Sequence, residues 1–129
     1  MANELILIVE DDDNSRMLLR DVLEATGYQT LESNTAEEGI VLAQQNRPAL
    51  ILMDIHLPGM SGIEALHSLR ANAGTRDIPV VAVTASVMKE QQQEAAIAGF
   101  DAFERKPISV AGILKIVREV LERSKTPPS

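Results

Sequence analysis

The stretch LILMDIHLPGMSG, residues 50–62, decides the fold. Its first four residues are apolar on successive positions. That pattern suits a strand buried on both faces rather than one with a wet side. A carboxylate, Asp54, follows the run. Pro58, Gly59 and Gly62 then mark a turn, and Ser61-x-x-Glu64 reads as a capping box that opens a helix through about Arg70. A buried strand, an acidic end, a turn and a helix make one strand–helix unit.

The same pattern recurs on both sides. LILIV (5–9), ALILM (49–53) and PVVAVT (79–84) are apolar runs of strand length. YQTLE (28–32) and AFER (102–105) are weaker strand candidates. Helical spacing of Met17, Leu18, Asp21, Val22 and Ala25 predicts a helix over 14–26 that stops at Gly27. Thr35-x-x-Glu38 caps a second helix over 36–45. A further helix is expected over 86–98, ending at Gly99, and a last one from Val110 to Arg123 with Ser109 as its N-cap. Residues 1–124 are expected to form one domain, and 125–129 a disordered tail or linker. Strands alternating with helices five times predict an α/β class: a doubly wound parallel sheet covered on both faces.

The totals agree with that class and exclude others. The chain has 129 residues, enough for a single domain with a real core. With 45% hydrophobic residues but only 2% aromatic, the core must be aliphatic. The absence of cysteine excludes a disulfide framework and a thiolate metal site. A net charge of −7 argues against direct binding of nucleic acid, which wants clustered Lys and Arg. No apolar stretch approaches the roughly 20 residues of a membrane span, and MANELILIVEDDD lacks the basic leader of a signal peptide. A cytoplasmic protein with no membrane or nucleic-acid partner is expected.

In an open sheet of this kind ligands bind beyond the carboxyl ends of the strands. EDDD (10–13) follows the first strand and Asp54 the third. Thr84 ends the fourth, and Lys106-Pro107 follows the fifth. Parallel strands bring all of these to one edge. Clustered carboxylates repel unless a cation intervenes. Lys106 supplies one charge, and a hard divalent ion on oxygen ligands, Mg²⁺, suits the rest. A carboxylate beside Mg²⁺ can attack phosphorus and become an aspartyl phosphate. Lys106 and the Thr84 hydroxyl would then face the phosphoryl oxygens. Taken singly, each residue has an ordinary reading: helix-start acids, a turn Asp, a strand Thr, a surface Lys. Their joint order at four strand ends is what points to chemistry. His56 and His67 are expected to face solvent, with no partner at ligand spacing.

Four stretches, ILIVEDDDNSRMLLRDVLEATGY, LILMDIHLPGMSGIEAL, IPVVAVTA and DAFERKPIS, resemble in order the landmarks of the receiver domain of bacterial two-component response regulators, the CheY-like family. ILMDI, VVAVTA and KPISV resemble its single-domain DivK-type regulators in particular. The resemblance covers about residues 4–124. It implies the flavodoxin-like (βα)₅ sheet with strand order 2-1-3-4-5. It implies Asp54 as the phosphoacceptor, serving a sensor histidine kinase or a histidine phosphotransfer protein. It implies Mg²⁺ held by Glu10, Asp11, Asp54 and the backbone carbonyl of His56. Thr84 and Phe103 would be the switch pair and Lys106 the phosphoryl contact, with a Lys106–Pro107 bond that is often cis in the family. Phe103 stands where many members carry Tyr, so no phenolic hydroxyl is available. A downstream protein partner would meet the face of the fourth helix, fifth strand and fifth helix. Such a module is a phosphoacceptor that catalyses only its own phosphotransfer and dephosphorylation, not an enzyme in the usual sense. A stand-alone receiver is expected; a piece of a longer regulator, with SKTPPS (124–129) as its linker, is the alternative.

Three other classes compete. A haloacid-dehalogenase-like phosphohydrolase wants a second Asp two residues beyond the nucleophile, where this chain has His56. A pseudo-receiver would lack part of the set Glu10, Asp11, Asp54, Thr84 and Lys106, all of which are present. A nucleotide or flavin domain would want a Gly-rich loop after the first strand, where EDDD stands instead.

Overall fold

Residues 3–84 and 99–125 are described by the structure, a computed structural model. In chain order they form β1 (Leu5–Val9), α1 (Asp13–Ala25), β2 (Gln29–Ser33), α2 (Ala36–Asn46), β3 (Leu50–Asp54), α3 (Gly62–Ala71), β4 (Val80–Thr84), β5 (Ala102–Arg105) and α4 (Val110–Lys125). The five strands are parallel and lie in the order β2-β1-β3-β4-β5. The helix expected over 86–98 lies outside the described residues, as does the chain beyond Lys125.

Alternation across a pleat explains the continuous apolar runs. Leu7, Val9, Ile51, Met53, Val80 and Ala82 point to one face, where Ala36 and Ala43 of α2 and Ala65, Leu66 and Leu69 of α3 cover them. Ile6, Ile8, Leu50, Leu52, Val81 and Val83 point to the other, where Leu19 and Leu23 of α1 and Ile113, Val117, Val120 and Leu121 of α4 cover them. Both faces are dry, so the three central strands are apolar up to their carboxyl ends, where Asp54 closes β3 and Thr84 closes β4.

The helix ends follow local chemistry. The Asp12 side chain accepts from the Ser15 amide, so α1 opens at Asp13, one residue before the predicted start. At its other end Gly27 takes φ 106°, and Tyr28 and Gly27 donate to the carbonyls of Leu23 and Glu24. This is a Schellman stop, which needs a residue free to enter the left-handed region. Within α1, Leu19 and Leu23 are buried, whereas Met17 and Leu18 are exposed. Leu19 and Leu23 stand one turn apart, and Val22 packs partly against the same core. The Ser109 hydroxyl accepts from the Gly112 amide at 3.1 Å, as an N-cap of α4 should. This helix runs two residues beyond the expected Arg123 and takes in Lys125.

The capping box at α3 is complete: the Ser61 hydroxyl accepts from the Glu64 amide at 3.2 Å and the Glu64 carboxylate from the Ser61 amide at 3.3 Å. Ser61→Ala is expected to cost about 1 kcal/mol in urea denaturation, and Ser61→Gly only a few tenths, about 0.3 kcal/mol. Equal stability of all three proteins would mean that the box contributes nothing. At the far end of α3, Arg70 donates to the carbonyls of Arg76, Ile78 and Gly99 and pairs with Asp101 at 3.1 Å. That clamp ties the helix to the entrances of β4 and β5, opposite the carboxyl edge.

Candidate functional site at the carboxyl edge of the sheet

Register brings the charged residues together. Val9 lies beside Met53, so the next residues in the two chains, Glu10 and Asp54, leave the sheet side by side. Thr84 pairs with Arg105, so Lys106 emerges on the same edge. The backbone of Thr84 closes β4 there; its side chain lies outside what is described. The Glu10 amide donates to the Ser33 carbonyl at 3.0 Å, which fixes the root of the β1–α1 loop.

Glu10 and Asp54 are buried, at 1% and 4% exposure, while Asp11 is exposed. One ligand atom from each of these three lies within 4.8 Å of the others. Lys106 reaches between the two buried carboxylates, 2.6 Å from Glu10 Oε1 and 3.2 Å from Asp54 Oδ2. The other Asp54 oxygen accepts from the His56 amide at 3.0 Å, and Glu10 Oε2 from the Asp12 amide at 3.1 Å. The His56 imidazole is exposed, as expected, and so is that of His67. The Lys106–Pro107 bond is cis. Phe103 is half-buried, with its ring 6.2 Å from that of Phe100.

The electrostatics are unbalanced. Three carboxylates face one ammonium. Burial, and after it the hydrogen bond shared with Asp54, push the Glu10 carboxyl above its ordinary range. For Lys106, burial is the largest single influence and lowers its pKa. The combined pull of Glu10 and Asp54 outweighs it and leaves the ammonium above its ordinary value. Glu10 Oε1 is buried without an aligned hydrogen bond; its contact with Lys106 is one of charge. That one ammonium is shared with Asp54, so the buried carboxylates outnumber the charge that offsets them. The donor set is all oxygen, partly exposed through Asp11, and has charge to spare. It fits a hard divalent cation.

Arg16, which the sequence reading left unassigned, and Gly62, which it placed in a turn but which opens α3, support the cluster. Arg16, one turn into α1, donates to the Glu10 carbonyl at 3.0 Å. Gly62 donates to the Ile55 carbonyl at 2.9 Å and lies against the backbone of Asp54. A signal for each was present: a lone arginine just after four acids, and a glycine at the first helical position directly after a cap.

Comparison with known proteins places this geometry. Residues 6–118 match the family model of the response regulator receiver domain. The polar-differentiation response regulator DivK of Brucella anthropi is 40% identical over 116 residues, which are 90% of this chain and 94% of that one. A CheY-like receiver domain protein from Methanospirillum hungatei JF-1 superposes with a TM-score of 0.88 at 29% identity, over 96% of this chain and 98% of that one. The receiver domain of a sensor histidine kinase from Pseudomonas aeruginosa PAO1, solved with a magnesium ion coordinated in its active-site cleft, gives a TM-score of 0.87 at 26% identity, over 94% and 99%. Fold, edge chemistry and sequence thus agree, and the chain belongs to the receiver-domain family of two-component response regulators, with the CheY-like fold and a DivK-type sequence.

Proposed function

We propose that this receiver accepts a phosphoryl group on Asp54 from a phosphohistidine and thereby switches a protein-binding surface. One observation carries the reading: the buried Asp54 carboxylate stands beside Glu10, Asp11 and Lys106 at the open carboxyl edge. In the transfer, an Asp54 oxygen attacks phosphorus and the P–N bond to the donor imidazole breaks. An acyl phosphate forms, and the released imidazole nitrogen takes up a proton. Asp54 is held for this by the His56 amide and by Lys106. Lys106, already drawn between two carboxylates, is positioned to pair with a phosphoryl oxygen once Asp54 is phosphorylated.

Glu10, Asp11 and Asp54, with the His56 carbonyl, would hold Mg²⁺. When bound, the ion supplies charge neutralisation for the phosphoryl oxygens. The all-oxygen donors and the surplus of carboxylates over the one ammonium support that choice, as does the magnesium ion in the cleft of the Pseudomonas relative. Thr84 and Phe103 are the proposed switch pair. The phosphoryl group adds charge and acceptors at the end of β3, beside the end of β4, and the Thr84 hydroxyl moves toward it. Phe103, half-buried in β5, then repacks. The readout face comprises residues 86–98, β5 and α4, for a downstream protein partner. The donor is a sensor histidine kinase or a histidine phosphotransfer protein. A cytoplasmic location belongs to this reading, as the compartment of its kinase or phosphotransfer donor; among the described residues no helix is long and apolar enough to cross a membrane. Residues 1–124 act as the receiver unit and the last few as a tail.

Intact mass after incubation with acetyl phosphate and Mg²⁺ tests the reading. A single phosphoryl adduct is expected in the wild type, and none in Asp54→Ala or with a chelator. An adduct that persists in Asp54→Ala would move the phosphoacceptor elsewhere. Absence of both the adduct and Mg²⁺ binding in the wild type would favour a pseudo-receiver.

A further inference from the structure

The peptide that joins Glu10 to Asp11 lies just past the last registered residue of β1, Val9. It links a buried carboxylate to an exposed one. Its planarity means that fixing one atom of the unit fixes the direction in which Asp11 departs. The Glu10 amide and carboxylate already have partners in the Ser33 carbonyl and the Asp12 amide. The carbonyl is met by Arg16 Nη1 at 3.0 Å.

The other two guanidinium nitrogens have acidic partners. Nη2 pairs with Asp13 at 2.6 Å, in the first turn of α1, and Nε lies 3.4 Å from Glu32 of β2. Arg20 lies 3.7 Å from the other Glu32 oxygen, which keeps that carboxylate in place. The fork is therefore held by α1 and β2 while its remaining arm reaches the end of β1. Asp13 and Glu32 offset its charge locally, so what it offers Glu10 is a directed bond more than a field.

We infer that Arg16 is a positioning residue for the cation site: by holding the Glu10 carbonyl, it orients the peptide that sets Glu10 and Asp11 toward a common ion. The inference rests on the Mg²⁺ reading above. It makes a prediction opposite in sign to simple electrostatics. Deleting a cation near three carboxylates should, by charge alone, tighten Mg²⁺ binding. Loss of positioning should weaken it.

The test is calorimetric titration of Mg²⁺ into the full chain as wild type, Arg16→Gln and Arg16→Lys, with melting curves in metal-free buffer. Both variants are expected to bind Mg²⁺ about tenfold more weakly. Both should still reach the wild-type extent of acetyl-phosphate adduct at saturating Mg²⁺, so that the defect lies in affinity. A lower melting temperature with unchanged or tighter Mg²⁺ binding in Arg16→Gln would overturn the inference and leave a merely structural arginine. If the neutral variant does not fold, Arg16→Lys decides: it keeps the charge but not the fork, and wild-type affinity there would overturn the inference equally. A wild type that binds no Mg²⁺ would overturn the metal reading itself, and this inference with it, on the wild-type trace alone.

Discussion

Asp54→Asn is expected to melt about 3–6 °C above the wild type in metal-free buffer while losing the phosphoryl adduct completely. The gain follows from the charge count. Glu10 and Asp54 are both buried and share one ammonium. Removing the Asp54 charge leaves Glu10 and Lys106 as a balanced pair at 2.6 Å. The amide oxygen of Asn keeps an acceptor for the His56 N–H, now held by the carboxylate at 3.0 Å. Two like charges about 4 Å apart repel by several kcal/mol at an effective dielectric near 20, and Lys106 cancels most of it; a net gain of about 1 kcal/mol remains. Mg²⁺ should reverse the ranking. At about 100 times its Kd it adds about 2.7 kcal/mol to whichever protein binds it, and the wild type binds better. Acid should act in the same sense as the substitution. Burial, then Asp54, raise the Glu10 pKa above its ordinary 4.5. A carboxyl raised on folding costs stability while ionised, and returns it as the pH falls through the raised value toward the ordinary one. Metal-free wild type is thus expected to gain stability on mild acidification in that window, and Asp54→Asn to gain less. A variant less stable than the wild type without Mg²⁺ would show that Lys106 balances the cluster already.

The central strands were legible because both faces of the sheet are covered. LILIV matched β1 residue for residue, and the other two central runs matched within one residue. The edges were weaker for the same physical reason. Gln29, Thr30 and Glu32 of β2, and Glu104 and Arg105 of β5, sit on strands with one free side, where polar residues cost little. Their pattern alone separates poorly from a loop. In α1 the helical spacing did not separate core from surface, because its apolar residues run on past one stripe and Met17 and Leu18 are left exposed.

At the site, the topology did the assembling. Residues 44 positions apart meet because parallel strands end on one edge, and that could be reasoned from strand ends alone. What could not be reasoned was which atom holds which. Asp12 is the N-cap of α1, and Asp13 pairs with Arg16, so the surplus acids of EDDD serve the helix and its arginine. The Arg16 bond to the Glu10 carbonyl depends on the path of the loop, which spacing does not reveal.

Gly62→Ala is expected to be among the most damaging of single-methyl additions. The helix α3 begins where β3 has just ended, and the two meet without a spacer of side chains. A Cβ at Gly62 would run into the Asp54 carbonyl oxygen and would stand 2.9 Å from the Ile55 Cα and 3.1 Å from the Asp54 carbonyl carbon. All three are backbone atoms, so no rotamer can relieve the contact. Either α3 lifts from the sheet or the end of β3 gives way. Overpacking of this kind costs about 3 kcal/mol, against at most about 1 kcal/mol gained from replacing a helical glycine. The balance, about 2 kcal/mol, lowers the melting temperature by about 6–10 °C. Because Asp54 shares the displaced backbone, the rate of adduct formation should fall about tenfold or more even where the protein remains folded. Gly112→Ala is the matched control in the first turn of α4. There a Cβ meets Glu104 Oε2 at 2.8 Å, the far end of a flexible side chain that can swing away. That variant should be neutral or slightly more stable, with normal phosphorylation. If the two alanines behaved alike, helix propensity rather than the seat of α3 on Asp54 would govern both, and Gly62 would be an ordinary first-turn residue.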